Sequence, residues 1–93
     1  LARSYEMDPT NPATAFNLAS VLLRRGELER ARFYIARVNS RDEQITAESL
    51  WLATRVEHRM GNREGVRDFG SRLRSRFPAS RETNLLELGR FDD

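Results

Sequence analysis

Apolar residues recur along this chain at helical spacing, in segments that end at glycine or proline. Spacings of i, i+3, i+4 and i+7 predict an amphipathic helix in each segment. The predicted helices span about 12–25, 28–38, 46–60, 63–76 and 81–89. The positions expected to face the core are Ala15, Leu18, Ala19, Leu22, Leu28, Ala31, Ile35, Val38, Leu50, Ala53, Val56, Met60, Leu85, Leu86 and Leu88. The pattern therefore predicts an all-α protein.

Residues that start and stop helices support these bounds. Gly26 and Gly61 are each predicted to end a helix in the left-handed conformation that glycine adopts without steric cost. The predicted N-caps are Asn11, either Asp42 or Thr46, Asn62 and Ser80. Residues 1–7 are expected to be the last turns of a preceding helix that closes before Pro9. Residues 91–93 are expected to be a frayed, acidic C-terminus.

The chain also nearly repeats itself at a spacing of 35 residues. The shift superimposes the following pairs: Val21 and Val56, Arg24 and Arg59, Gly26 and Gly61, Glu29 and Glu64, Arg32 and Arg67, Arg37 and Arg72, Ser40 and Ser75, Arg41 and Arg76. Aromatic residues also coincide, Phe16 with Trp51 and Tyr34 with Phe69. A period of this length indicates a helix-turn-helix unit that buries its apolar face by stacking on its neighbours.

These features resemble the tetratricopeptide repeat, whose signature is W-x2-L-G-x2-Y, then A-x3-F, then P. The first copy gives Ala15-x2-Leu18-Ala19-x2-Leu22 and Ala31-x3-Ile35, and the second is a weaker match that ends at Pro78. The resemblance implies a helical-hairpin solenoid of about two complete repeats with flanking helices. The expected domains are the end of a preceding repeat at 1–9, repeats at 10–45 and 46–80, and a C-terminal capping helix and tail at 81–93.

A narrower resemblance is carried by five segments. They are residues 17–26, 48–52, 61–64 and 73–78, and the terminal Gly89-Arg90-Phe91-Asp92-Asp93. They are similar to the C-terminal repeats of the type IV pilus biogenesis and stability lipoproteins, the PilW/PilF-type pilotins of Gram-negative bacteria. The resemblance implies a C-terminal fragment of a lipoprotein that is anchored, through an acylated Cys outside this chain, on the periplasmic side of the outer membrane. Its implied role is to help the secretin pore assemble.

Composition narrows the function classes. The chain has 93 residues and no Cys, so it supports neither disulfides nor thiolate chemistry. Every basic residue is Arg, which fits either the codon usage of a GC-rich genome or bidentate recognition of phosphate. The net charge is only +2, with 14 acidic residues interleaved among the arginines, which argues against a nucleic-acid partner. The longest apolar run is Val21-Leu22-Leu23, so no membrane-spanning segment is expected.

The candidate protein-binding residues lie on the first helix of each repeat, which lines the groove of a tetratricopeptide array. They are Phe16, Asn17, Ser20, Leu23, Arg24, Trp51, Arg55, His58 and Arg59. Aromatic rings beside Arg suit a peptide, because apolar side chains pack on the rings while guanidinium groups hold carbonyls or carboxylates. In the competing interpretation, Phe16 and Trp51 pack between adjacent helices and the arginines are solvated.

No arrangement of residues indicates catalysis. His58 is the single histidine, which argues against a transition-metal site, and Thr14, Ser20 and Ser49 lack a nearby histidine base. We therefore expect no cofactor and no enzymatic activity. The expected function is a protein-interaction scaffold that binds a protein or peptide, such as an outer-membrane secretin or another pilus-assembly protein. The exposed end of the array is a further candidate for self-association.

Two questions stay open at this level. The alternative function is a cytosolic tetratricopeptide module that regulates a partner protein. Gly65 and Gly70 lie inside the fourth predicted helix, where each costs about 1 kcal/mol relative to Ala. They either let another helix approach closely, with segment 81–89 or a partner as the candidate, or they are drift that the neighbouring helices tolerate.

Overall fold

A computed structural model describes residues 12–91 of the chain, and within that range the secondary structure is helical. The helices are α1 (Pro12–Arg24), α2 (Leu28–Val38), α3 (Ala47–Met60), α4 (Arg63–Arg76) and α5 (Arg81–Leu88). A short 3-10 helix, Asp42–Gln44, lies in the connector between α2 and α3. The predicted bounds are confirmed to within about one residue at each end, a difference smaller than the usual uncertainty of helix ends. The helix predicted at 1–7 and the cap at Asn11 lie outside the described residues.

The described chain falls into two compact units that divide between Ile45 and Thr46. The first unit is a helical hairpin in which α1 contacts α2. Its buried apolar residues are Ala15, Ala19, Leu22, Leu23, Ala31, Ile35 and Val38. Small alanines on both helices let the two backbones approach closely. The apolar stripes predicted for this hairpin are confirmed, except that Leu18 and Leu28 are only half-buried.

The second unit adds a third helix to the same kind of hairpin. Here α3 contacts α4, and α5 contacts both of them. The buried apolar residues are Leu50, Trp51, Leu52, Ala53, Val56, Leu73 and Leu86. Because α3 is buried over much of its circumference, it forms the centre of this unit. The prediction that Leu88 is buried is wrong: its side chain is 59% exposed, in the last turn of α5.

The N-cap of helix α3 is Thr46 rather than Asp42. The Ser49 backbone N–H donates to Thr46 Oγ1 at 3.0 Å, and the Thr46 N–H donates to Ser49 Oγ at 2.8 Å. This reciprocal capping box satisfies two amides that the first helical turn would otherwise leave without partners. Asp42 instead begins the 3-10 helix. Asn62 and Ser80 cap α4 and α5 through their side chains, as predicted.

The two glycines inside α4 each lie against a neighbouring helix. A Cβ atom on Gly70 would lie 3.2 Å from Leu86 Cδ2, so segment 81–89 does approach this position, as predicted. A Cβ on Gly65 would lie 2.7 Å from Glu57 Oε1 of α3. The close neighbour of Gly65 is therefore α3 and not α5, because a buried carboxylate occupies the space that a side chain would fill.

Candidate functional site

Trp51, Arg55 and His58 lie on one face of α3, and we call these three residues the α3 face. Their spacing of i, i+4 and i+7 places Trp51 and His58 about two helical turns, or about 10 Å, apart along the helix axis. Trp51 is 6% exposed, Arg55 is half-buried and His58 is exposed. The α3 face therefore runs from a buried ring at one end to a solvent-exposed ring at the other.

Phe91, which follows α5, packs on all three residues of the α3 face. Its ring lies 4.2 Å from that of His58 and 5.4 Å from that of Trp51, between ring centroids. The ring planes are nearly parallel in both pairs, at 13° and 22°. Arg55 Nε donates a hydrogen bond of 2.7 Å to the Phe91 carbonyl oxygen. We call this set of contacts the Phe91 clasp.

Gly89 directs the chain back toward α3. It adopts a left-handed conformation with φ of +71°, which glycine reaches without a Cβ clash. The Gly89 N–H donates to Leu86 O and the Arg90 N–H donates to Leu85 O, both at 3.0 Å. This pair of bonds is the Schellman motif, which satisfies the last carbonyls of the helix and reverses the chain. The reversal ends α5 and brings Phe91 onto the α3 face two residues later.

A pocket of about 260 Å³ lies beside the Phe91 clasp. Its lining residues are His58, Gly61, Asn62, Arg63, Val66 and Phe91. All of them belong to the second unit, at the turn between α3 and α4 and at the tail. Val66 and the Phe91 ring are apolar surfaces, whereas Asn62 and Arg63 supply hydrogen-bond donors. A pocket of this kind suits one amino-acid side chain next to a polar backbone.

Two polar interactions fix the turn that forms one side of this pocket. Asn62 Nδ2 donates to Glu57 Oε1 at 2.8 Å, and the Gly65 N–H donates to Asn62 Oδ1 at 3.3 Å. Glu57 is only 3% exposed, so this carboxylate lies in the interior of the unit. A buried carboxylate requires hydrogen-bond donors, and Asn62 provides one of them. The geometry of the turn therefore depends on α3 and α4 together.

The candidate Arg59 is exposed and lies outside the Phe91 clasp. Neither Arg59 nor the pocket residue Arg63 forms an ion pair with any residue in the described range 12–91. Both guanidinium groups are accordingly available to a carboxylate or a carbonyl of a partner. Placed next to the α3 face, they would favour a segment that carries acceptor groups.

The remaining candidates lie on α1, in the first unit. Phe16 and Ser20 are half-buried, Asn17 and Arg24 are exposed, and Leu23 is only 2% exposed. Leu23 therefore contributes to the core and presents no surface for binding. The assignment of the others to a binding face stays a prediction. None of them belongs to the Phe91 clasp, which the second unit forms by itself.

No group of three His, Asp or Glu side chains within range 12–91 is arranged to hold a metal ion. None of the helices α1–α5 has the length and apolar character needed to cross a bilayer.

Phe91 is the functional candidate that the sequence interpretation missed, because residues 91–93 were expected to fray. Residues 92 and 93 lie outside the described range, but Phe91 is half-buried and packed. The sequence does contain a signal for this packing. An apolar residue, Leu28, stands two positions after the helix-ending Gly26, and Phe91 stands two positions after Gly89. In both cases a Schellman turn is followed by an apolar residue that packs back onto the unit.

Comparison with known proteins agrees with this architecture. The fold is similar to that in the crystal structure of PilW, a widely conserved type IV pilus biogenesis factor, with a TM-score of 0.82 and 27% sequence identity. The alignment covers 92% of this chain and 39% of the PilW chain, so this chain spans less than half the length of that protein. No protein-family model matches the sequence, and no curated protein sequence matches it.

The chain has a PilW-like tetratricopeptide-repeat helical fold. The predicted fold class, an all-α helical-hairpin repeat, is confirmed. A fold of this kind is typical of protein-protein interaction modules. The division into repeats at 10–45 and 46–80, with flanking segments at 1–9 and 81–93, stays a prediction.

Proposed function

We propose that this chain is a protein-binding segment of a type IV pilus biogenesis factor, and that its whole protein assists assembly of the outer-membrane secretin. The similarity in fold and sequence to PilW is the observation that carries this proposal. In the same proposal, the protein acts in the periplasm and a lipid anchor outside this chain holds it at the outer membrane. No catalytic step is involved.

The α3 face supplies the chemistry for binding a protein segment. The Trp51 and His58 rings already stack on the aromatic ring of Phe91, and Arg55 donates to the Phe91 backbone carbonyl. Backbone carbonyls occur in every peptide, so this hydrogen bond recognises an extended main chain independently of its sequence. Arg59 and Arg63 add positive charge beside it. Aromatic residues and Arg are the residue types that dominate binding energy at protein interfaces.

The proposal is tested with Arg55→Ala and Arg59→Ala in the full-length protein, produced in a bacterium that depends on it for pili. We expect both variants to accumulate normally while secretin multimers and surface pili decrease. Truncating an interface Arg typically weakens binding by about 2 kcal/mol, or about thirtyfold. The matched control is Arg67→Ala, an exposed Arg on α4 outside the α3 face. Normal secretin multimers in both variants would contradict the proposal, as would location of the protein in the cytoplasm.

Arg55 and Arg59 are preferred to Trp51 for this test. Trp51 is almost completely buried, so Trp51→Ala removes core contacts as well as a ring that could bind a partner. Truncating a buried aromatic residue typically destabilises a protein by about 3–5 kcal/mol. Loss of binding in that variant would not separate unfolding from loss of the site.

A further inference from the structure

Residues 89–91 lie on the α3 face in the manner of a bound peptide. One aromatic ring packs on Trp51 and His58, and one backbone carbonyl accepts from Arg55. We infer that this tail is an internal ligand, which closes the α3 face until a partner segment with its own aromatic residue displaces Phe91. This inference deepens the proposed protein-binding function and rests on it.

The tail has the features of a displaceable segment. Leu88, Gly89 and Arg90 are exposed, and no atom lies within 4 Å of the position that a Cβ on Gly89 would occupy. Phe91 is the half-buried residue of this segment. Because the Schellman bonds end at the Arg90 N–H, rotation about the Arg90 backbone beyond that N–H can lift Phe91 away without disturbing α5.

The clasp also determines the chemistry of the partner segment. Removing Phe91 exposes the ring faces of Trp51 and His58, which a flat aromatic side chain covers best. It also leaves Arg55 Nε–H without its acceptor, so the partner must offer a backbone carbonyl at the same place. Phe91 forms one wall of the 260 Å³ pocket, so its departure opens this pocket toward the α3 face. We therefore expect a linear segment with an aromatic anchor next to a smaller apolar residue.

Effective concentration explains how a weak internal contact can regulate binding. A ligand joined by a short flexible linker competes as though it were present at roughly millimolar concentration. If the tail has an intrinsic dissociation constant of about 0.1 mM, a free peptide binds roughly tenfold more weakly when the tail is in place than when it is open. A partner with several contacts would overcome this competition, whereas an isolated aromatic side chain would not.

The test uses the full chain and a labelled peptide with the sequence of residues 87–91, acetylated and amidated. The peptide is titrated into the unmodified chain and into the Phe91→Ala chain, in which the ring site is open. We expect the Phe91→Ala chain to bind it roughly tenfold more tightly. Adding Arg55→Ala should abolish this gain, and replacing Phe by Ala in the peptide should abolish detectable binding. The matched control is Leu88→Ala, because Leu88 is an exposed apolar residue directly before the tail.

Equal affinity for the unmodified and Phe91→Ala chains, or no binding to either, would overturn the inference. A second measurement needs no variant: stacking at 4.2 Å places the His58 ring protons over the Phe91 ring. Their NMR signals should therefore shift upfield, and signals at random-coil positions would also overturn the inference. The outcomes are separable from those of the proposed function. If secretin assembly requires Arg55 but the peptide does not bind, only the inference of an internal ligand is contradicted. If the peptide binds as expected but secretin assembly does not require Arg55, only the proposed pilus role is contradicted.

Discussion

Gly65 and Gly70 allow a stability prediction in which one substitution controls for the other. Both glycines lie inside α4, so Gly→Ala gains about 1 kcal/mol of helix propensity at each site. The new methyl groups meet different surroundings. At Gly65 the Cβ would lie 2.7 Å from Glu57 Oε1 and 2.9 Å from Asn62 Nδ2, whereas at Gly70 the nearest atom is Leu86 Cδ2, at 3.2 Å. The difference between the two variants therefore reports on the contact with the Glu57 carboxylate and the Asn62 amide that is hydrogen-bonded to it.

The structure indicates the size of this difference. Glu57 is 3% exposed and accepts a hydrogen bond of 2.8 Å from Asn62, so the carboxylate cannot move into solvent to make room. Overpacking a buried site costs about 1–3 kcal/mol. Disturbing a hydrogen bond to a charged group costs about 1.5–3 kcal/mol. At Gly70, the Leu86 side chain needs to shift by only a few tenths of an ångström. We expect Gly65→Ala to be less stable than Gly70→Ala by about 2 kcal/mol or more.

The assay is a urea titration followed by the fluorescence of Trp51, the single Trp of the chain. Trp51 and both glycines belong to the same compact unit, so one probe reports on both variants. A Glu57→Ala background removes the obstructing carboxylate, and there the two Gly→Ala substitutions should become nearly equal in effect. Equal unfolding midpoints for Gly65→Ala and Gly70→Ala in the unmodified background would refute the steric explanation.

Three further predictions concern individual residues. Leu22→Ala and Ile35→Ala, both in the core of the first unit, should each lower the free energy of unfolding by about 2–4 kcal/mol in a urea titration followed by far-UV circular dichroism. Arg32→Ala, at an exposed position, should lower it by less than about 0.5 kcal/mol. Similar values for all three variants would contradict the assigned burial. Thr46→Ala should cost about 1 kcal/mol through loss of the capping box, and no change in melting temperature would argue against that cap. Gly61→Ala places a Cβ at φ of +76° and should cost about 1–2 kcal/mol by chemical denaturation, a prediction that a stabilised variant would refute.

Helix positions were predictable here because local rules determined them. Gly26 and Gly61 both end helices in the left-handed conformation, and Asn62 and Ser80 both cap the helices that follow them. These effects act over a few residues, so a sequence shows them directly. The 3.6-residue apolar period likewise placed the buried stripes of the hairpin formed by α1 and α2. Agreement between local propensity and the final fold is typical of natural sequences.

Features that depend on contacts between helices were less predictable. Glu57 occupies a helix position that could equally face solvent, and its burial becomes understandable only with Asn62 and Gly65 placed beside it. Leu88 continues the apolar period of α5, yet it is the last residue of that helix and its side chain remains exposed. Phe91 follows a glycine cap that reverses the chain at the end of α5. Whether this reversal brings Phe91 onto α3 depends on the direction in which α5 packs. No local rule specifies that direction.

The Phe91 clasp changes what an affinity measurement on this protein reports. If the α3 face binds a partner only when the tail is open, the apparent dissociation constant equals the intrinsic one divided by the open fraction. A segment without an aromatic residue would uncover Trp51 and His58 without replacing the ring that covered them, and it would leave Arg55 without an acceptor unless its backbone reached the same place. Such a segment bears the free energy of opening with no compensating contact. This cost is the same for every ligand, so the tail leaves relative affinities unchanged and instead keeps weak or poorly matched segments from binding at ordinary concentrations. Phe91→Ala removes the cost and should tighten the binding of every such segment by the same factor.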